Sequence, residues 1–210
     1  MKNYAFINII FASIILLSSC SKDSPVPEVD QEEVSGATLS LIEVEAEEHG
    51  DHYHYHDIIG GDTTNITFSG EGFLPPVDAH VHLEVGKAYK FELKIKDFAG
   101  RESQQSFIER DDQHFAFLLG IPQQSIIAEY ADMKLDSTKV KVGINGYLRV
   151  QKASESFTFR YLMRHLNPGV KSEINPTTDI FNADFAKFGG ANDLDLKFQM
   201  HLVESGHGEH

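Results

Sequence analysis

HVHLEVGKAYKFELKIKD, residues 80–97, contains the clearest indication of the fold class. In its second half apolar residues alternate with charged ones, and the apolar members are Tyr89, Phe91, Leu93 and Ile95. Successive side chains of an extended chain point to opposite faces, so this alternation gives one apolar and one charged face. The stretch is therefore predicted to form two strands around residues 85–87, the second of them half-buried.

The same period of two recurs along most of the chain. It is found in the second half of residues 37–48, and strongly in residues 155–165 and 193–204. Residues 64–70 are short and β-prone, residues 114–120 are a fuller apolar run, and residues 139–151 are also predicted to be extended. Only three segments have room for a helical turn or two, namely residues 103–112, 123–133 and 177–190. Many short strands separated by turn residues predict an all-β domain over residues 37–204, a single antiparallel β-sandwich of immunoglobulin-like architecture.

The N-terminal residues have the features of a bacterial lipoprotein signal. An apolar run over residues 6–17 is short for a membrane span and leads into Leu17-Ser18-Ser19-Cys20, which resembles a lipobox. Residues 1–19 are predicted to be a cleaved signal peptide and Cys20 the lipidated first residue. The Pro-rich, acidic stretch that continues to residue 36 is predicted to be a flexible tether. The expected location is the bacterial outer membrane, on its periplasmic face or at the cell surface.

Charge and cysteine content limit the kinds of partner and of metal site. The formal net charge is −14, which disfavours nucleic acid as a partner and concentrates cations near the protein. Cys20 is the only cysteine, so the domain can form no internal disulfide. A metal site in it would have to use nitrogen and oxygen ligands.

Histidines are concentrated in a few places. HGDHYHYHD, residues 49–57, contains His49, His52, His54 and His56, while DAHVHLE contains His80 and His82. Residues two apart on a strand share a face, so neighbouring imidazoles can converge on one ion. Zinc takes three or four such ligands, and histidine-rich tracts bind transition metals even when mobile. The alternative interpretation of the first group is a solvated polar loop.

The remaining histidines are more isolated. His114 follows an acidic stretch and opens an apolar strand, and it is a further candidate ligand. His165 shares the apolar face of its strand and is interpreted as a core-edge histidine that need not be a ligand. His201 is interpreted as an exposed strand residue. His207 and His210 lie in a histidine-rich tail, residues 205–210, that could form a weak auxiliary site.

Part of the chain resembles a known group of proteins. The order FIERDDQHFAFLLG, FTFRYLMRHLNPGVKSEINPTTD and LDLKFQMHLV resembles small Bacteroidota-type outer-membrane lipoproteins, a poorly characterised family. The resemblance covers about half of the chain and includes Arg164, His165, Pro168, Gly169 and Lys171. It implies a compact β-sandwich displayed on the cell envelope and supplies no reaction. The histidine enrichment of residues 49–82 is not expected of that family.

The leading functional hypothesis is an envelope-anchored lipoprotein that binds a divalent metal. It would capture, buffer or deliver zinc, with copper(II) and nickel left open, and its partner would be a TonB-dependent metal receptor. The candidate ligands are His49, His52, His54, His56, His80, His82 and His114. The alternative is a binding or assembly lipoprotein that accompanies an outer-membrane receptor or serves in adhesion. A haem protein is a further alternative. No enzyme is predicted, since no hydrolase, zincin or phosphate-loop motif is present in the sequence.

Overall fold

A computed structural model describes residues 34–70 and 72–206. The predicted signal peptide, Cys20, nearly all of the tether, and His207 and His210 lie outside the described residues. Within the described part, no helix is both long enough and apolar enough to cross a membrane.

Strands dominate the described chain. They are β1 (Gly36–His49), β2 (His52–Asp57), β3 (Thr63–Ser69), β4 (His80–Glu84), β5 (Ala88–Lys96), β6 (His114–Leu119), β7 (Ile126–Tyr130), β8 (Asp132–Met133), β9 (Lys139–Val140), β10 (Asn145–Val150), β11 (Ser154–Leu166) and β12 (Gly190–Val203). One short helix, α1 (Gln104–Glu109), precedes β6. Three short 3-10 turns lie between β11 and β12, at Val170–Glu173, Asp179–Phe181 and Phe185–Lys187.

The strands form two main sheets. In the first, the order is β2-β1-β5-β10-β7, and β3 also pairs with β1. In the second, the order is β4-β12-β11-β6, and β8 with β9 forms a separate two-stranded ribbon. Every pairing is antiparallel except that of β4 with β12, which is parallel. The predicted all-β class with antiparallel sheets is confirmed.

Residues of both sheets contribute to one hydrophobic core. Leu39 of β1 and Leu118 of β6 line the same interior gap, and Phe68 of β3 lies 6.2 Å from Phe198 of β12 between ring centroids. Each apolar side chain buried in this way contributes about 1.5–3 kcal/mol, so the core dominates the stability of the fold. The period of two in the sequence corresponds to the burial of alternate residues in β5, as predicted.

The three segments with room for a helical turn have three different structures. Residues 103–112 contain α1, as predicted. The prediction for residues 123–133 is wrong, because they form β7, whose alternate residues enter the core and whose backbone pairs with β10. Residues 177–190 form 3-10 turns, and Phe188 there stacks on Phe117 of β6 at 5.8 Å. Tertiary contacts decided each case, since the local propensities were weak.

Gly146 shows why the Asn145-Gly146 pair is not a hairpin turn. The pair lies inside β10, which is flanked by β5 and β7. A Cβ atom at Gly146 would approach the Phe91 ring to 2.6 Å. Only glycine lets the backbone come this close to a large core aromatic.

A buried carboxylate holds the loop that follows β9. Asp132 is fully buried, and its Oδ2 accepts hydrogen bonds from the backbone N–H groups of Val142 and Gly143, at 2.8 and 2.7 Å. Its Oδ1 accepts a third from the Asn145 N–H at 2.7 Å. Burial raises the pKa of Asp132, and these three donors oppose that rise. The carboxylate thus replaces the sheet hydrogen bonds that this loop lacks.

Asp132→Asn is expected to lower the free energy of unfolding by about 3 kcal/mol, because an amide NH₂ cannot accept the bonds that one carboxylate oxygen receives. Chemical denaturation measures the change. Asp136→Asn is the control, since Asp136 is an exposed turn residue of the same segment that caps one N–H group, that of Thr138. Equal losses in the two variants would contradict the structural role given to Asp132.

Candidate metal centres

The histidines of residues 49–57 lie on a β-hairpin. Strand β2 pairs with the end of β1, and the strand rules out the interpretation of this segment as a loop. His52, His54 and His56 are all exposed, whereas Tyr53 and Tyr55 are half-buried on the opposite face. The predicted sharing of one face by the three histidines is confirmed.

The tyrosines fix the inner face of this hairpin. Tyr55 stacks on Tyr147 of β10 with ring centroids 3.7 Å apart, and the guanidinium of Arg149 lies 3.5 Å from the Tyr53 ring centroid. Stacked aromatic and cation–π contacts of this kind each contribute about 0.5–1.5 kcal/mol beyond their buried area. Anchoring one face leaves the imidazoles of the other face in solvent on an ordered strand.

The rings of the hairpin histidines lie close together, with centroids of His49 and His54 4.7 Å apart and those of His52 and His54 5.0 Å apart, but their ligand atoms approach one another only in pairs. His52 Nε2 lies 3.1 Å from His54 Nε2, and Glu47 reaches His49 at 3.3 Å and His56 at 3.6 Å. Two groups elsewhere in the described residues do place three ligand atoms within 4.8 Å of one another, and the hairpin histidines do not belong to either. The hairpin therefore offers pairs of donors that would have to rearrange to complete a coordination sphere.

The first of those two groups is the surface cluster, defined as His80, His82 and His201. Strand β4 runs parallel to β12, and this pairing sets His82 directly opposite His201. The imidazole centroids of His80 and His82 are 4.5 Å apart, and those of His82 and His201 are 5.5 Å apart. His80 and His82 were predicted ligands, whereas His201 was interpreted as an exposed strand residue; it is half-buried and lies beside the other two.

The surface cluster is open to solvent and lined by polar neighbours. His80 and His82 are exposed, and the apolar residues that alternate with them, Val81 and Leu83, are buried in the core. The hydroxyl of Ser156 lies 3.3 Å from His80 Nε2. Desolvation lowers the pKa of His80, and its neighbours His82 and His201 lower it further. A lowered pKa keeps the imidazole neutral, which is the form that binds metals.

The second group is the interior cluster, defined as His114, His165 and Asp193. His114 is the first residue of β6 and pairs with His165 of β11 across the sheet. Their ring centroids are 4.8 Å apart. The side chains of His114 and Asp193 are completely buried, and that of His165 is 5% exposed. His114 was a predicted ligand. His165 was predicted to lie at the core edge, on the apolar face of its strand, and it is buried there.

Asp193 could not be found from the sequence pattern. Strict alternation would place it with Asp195 on the outer face of β12. The β11–β12 pairing shifts here, because Met163 pairs with Leu194 and Arg164 with Asn192, so Asp193 is the extra residue of a β-bulge. A bulge redirects the side chain of the extra residue, and in this case it is buried beside the two histidines.

His80 is expected to titrate below the ordinary histidine value of about 6.5. NMR titration of the His80 ring protons measures this. Replacing His82 and His201 by glutamine should raise the His80 pKa only partly, because desolvation is the larger cause. In the folded protein His80 takes up a proton at lower pH than in the unfolded chain. Its contribution to stability is therefore present above the unfolded pKa of about 6.5 and is lost as pH falls below that value and through the lowered folded pKa. A His80 pKa of 6.5 or above would contradict the geometry described.

Comparisons with known proteins add no information about either cluster. No protein-family model matches the chain, and neither a curated protein nor a solved structure matches it. The resemblance to Bacteroidota lipoproteins therefore stays a prediction, and the two clusters are interpreted from their own geometry.

Proposed function

We propose that this protein binds a divalent transition metal at the surface cluster, with zinc as the first candidate. The observation that carries the proposal is the convergence of three imidazoles from β4 and β12, whose ligand atoms lie within 4.8 Å of one another. Three neutral imidazoles with an open fourth position are a ligand set that suits zinc, copper(II) and nickel. No reaction is assigned to the site.

The exposure of the surface cluster supports capture and release over permanent retention. An ion bound there keeps contact with water, so little desolvation opposes its binding or its departure. The strand carrying His80 and His82 is the edge strand of its sheet, so a partner protein can approach it from the side. This position supports delivery to a receptor, and we propose a TonB-dependent metal receptor as the partner.

The β1–β2 hairpin would serve as an auxiliary collecting surface. Its exposed imidazoles lie beside Glu47 and Asp51, and the whole chain carries a net charge of −14. Such a surface raises the local concentration of cations by long-range attraction. Weak binding by paired histidines would then increase the rate at which the surface cluster is loaded.

Anchoring and architecture complete the proposal. Lipid on Cys20 would hold the chain at the bacterial outer membrane, since two or more acyl chains give durable attachment. The finer architecture is proposed to be an immunoglobulin-like sandwich, supported by two sheets that share one core. Neither Cys20 nor the signal peptide lies in the described residues.

Replacing His80, His82 and His201 by alanine is expected to remove one equivalent of zinc from the purified protein. Native mass spectrometry, with zinc, copper(II) and nickel in competition, counts the bound ions and identifies the preferred one. The replaced side chains lie outside the core, so the fold should survive, and circular dichroism checks this.

A matched variant separates the surface cluster from the hairpin. Alanine at His49, His52, His54 and His56 removes more imidazoles but leaves the surface cluster intact, so the tightest surface-bound equivalent should remain. If this variant loses that equivalent and the surface-cluster variant keeps it, the proposed site is wrong. If neither variant changes metal binding, the alternative of a binding or assembly lipoprotein is favoured.

Zinc binding at the surface cluster is expected to weaken as pH falls below about 6, because protons then compete for imidazole nitrogens whose ordinary pKa is about 6.5. Isothermal titration at several pH values measures the change and the protons released. Affinity that is unchanged at pH 5 would indicate carboxylate ligands and contradict a three-histidine site.

A further inference from the structure

The interior cluster joins three strands at one end of the second sheet. His114 opens β6, His165 lies near the end of β11, and Asp193 occupies the bulge of β12. Asp193 Oδ2 lies 3.4 Å from His114 Nε2 and 3.7 Å from His165 Nδ1. The three side chains thus surround one point in the interior.

Hydrogen bonds outside the cluster set which ring nitrogen of each histidine carries a proton. His114 Nδ1 donates to the carbonyl oxygen of Arg110 at 3.0 Å. His165 Nε2 donates to Gln113 Oε1 at 3.1 Å, and that oxygen also accepts from the Arg110 guanidinium at 2.9 Å. In the neutral imidazoles the lone pairs are therefore on His114 Nε2 and His165 Nδ1, the two atoms nearest Asp193.

In this arrangement the lone pairs of two neutral imidazoles face the carboxylate of Asp193, which is itself a hydrogen-bond acceptor. Among the residues that the structure describes, His114 Nε2 and both carboxylate oxygens of Asp193 have no hydrogen-bond partner. Burying a polar group without a partner is costly, and burying an ionised carboxylate without one is more costly still. A cation at the centre would satisfy all of these atoms together.

The distances suit a metal ion. With bonds of about 2.0–2.2 Å, the ligand atoms of a tetrahedral site lie about 3.3–3.6 Å apart. The 3.4 and 3.7 Å separations found here are close to that range. The outer hydrogen bonds to Arg110 and Gln113 are also of the kind that orients histidine ligands in metal sites.

We propose that the interior cluster binds one zinc-class divalent ion through His114 Nε2, His165 Nδ1 and the Asp193 carboxylate. Both carboxylate oxygens are available, so bidentate binding gives four protein donors and leaves no position for a substrate. The ion is therefore structural, and it links β6, β11 and β12. This inference is independent of the proposed function, because none of its ligands belongs to the surface cluster.

The nearby cations donate most of their hydrogen bonds to other acceptors, although Arg164 Nε makes none and the charges of Arg164 and Asp193 attract each other. The Arg164 guanidinium donates to Asn192 Oδ1 at 2.6 Å and to the carbonyl oxygens of Phe188 and Gly190 at 3.1 and 2.7 Å. The Lys171 ammonium donates to the carbonyl oxygen of His114 at 2.5 Å. None of these hydrogen bonds uses a carboxylate oxygen of Asp193. The Asp193 side chain is completely buried, so an ion would have to enter before or during folding, or through a local opening of the strands.

The test uses the protein in which His80, His82 and His201 are alanine, so that surface binding cannot be mistaken for interior binding. The purified protein is loaded with zinc, washed with a chelator and analysed by native mass spectrometry. One equivalent should remain, and its removal by prolonged chelation should lower the melting temperature. Adding Asp193→Asn should weaken zinc retention at least about 100-fold, since a carboxylate ligand is lost. Adding Asp195→Asn, two residues along β12 and paired with Arg160, should not change retention.

A second measurement does not depend on the Asp193 variant folding. In the zinc-loaded surface variant, long-range ¹H–¹⁵N correlation spectra should show His114 protonated on Nδ1 and His165 on Nε2, with the other nitrogens shifted by the metal. If no zinc survives the wash, the proposal is overturned, and a histidine ring that carries protons on both nitrogens would then identify the cluster as a buried histidine–aspartate ion pair. Loss of zinc in the Asp195 variant to the same extent as in the Asp193 variant would also overturn it. Failure of this test leaves the three-histidine site of the proposed function unaffected.

Discussion

The antiparallel pairing of β11 with β12 organises the second sheet and, through the register shift between Met163 and Arg164, positions Asp193. The strands β11 and β12 are two of the longest, and they form the centre of the second sheet, with β4 and β6 added at its two edges. Regular pairing on one side of the bulge aligns apolar residues such as Met163 and Leu194 over the core. The extra residue, Asp193, is turned into the interior where regular alternation would have exposed it.

Strand β12 contributes one residue to each cluster, His201 to the surface cluster and Asp193 to the interior cluster. The surface cluster is largely exposed, whereas the interior cluster is buried. His201 lies on the outer face of β12 near one end, and Asp193 points inward at the bulge. Imidazoles in solvent exchange protons and ions readily, so the surface cluster suits transient loading. A buried carboxylate beside two buried imidazoles is stabilised by a positive charge, which suits the retained ion that we propose. The same donor chemistry thus supports two different roles on one strand.

The hairpin that carries HYHYH shows how a period of two can separate anchoring from binding. Tyr53 and Tyr55 fix the strand through Arg149 and Tyr147, and the alternating histidines are left in solvent. The pattern that looked most like a metal site in the sequence lies on an ordered, exposed strand, and metal binding there stays a prediction. The hairpin lacks the third converging donor that the interior and surface clusters possess.

The all-β class, the strand that holds His80 and His82, and the shared face of His52, His54 and His56 could be predicted from the amino-acid pattern alone. All of these follow from the alternation of side chains along a single extended strand, which is a local property. Only the tertiary structure decided that His201 lies opposite His82, that His114 lies opposite His165, and that residues 123–133 form a strand. Strand pairing joins residues far apart in the chain, and a one-residue bulge reverses the face that a pattern predicts. For that reason Asp193 became visible as a candidate ligand only in the folded protein.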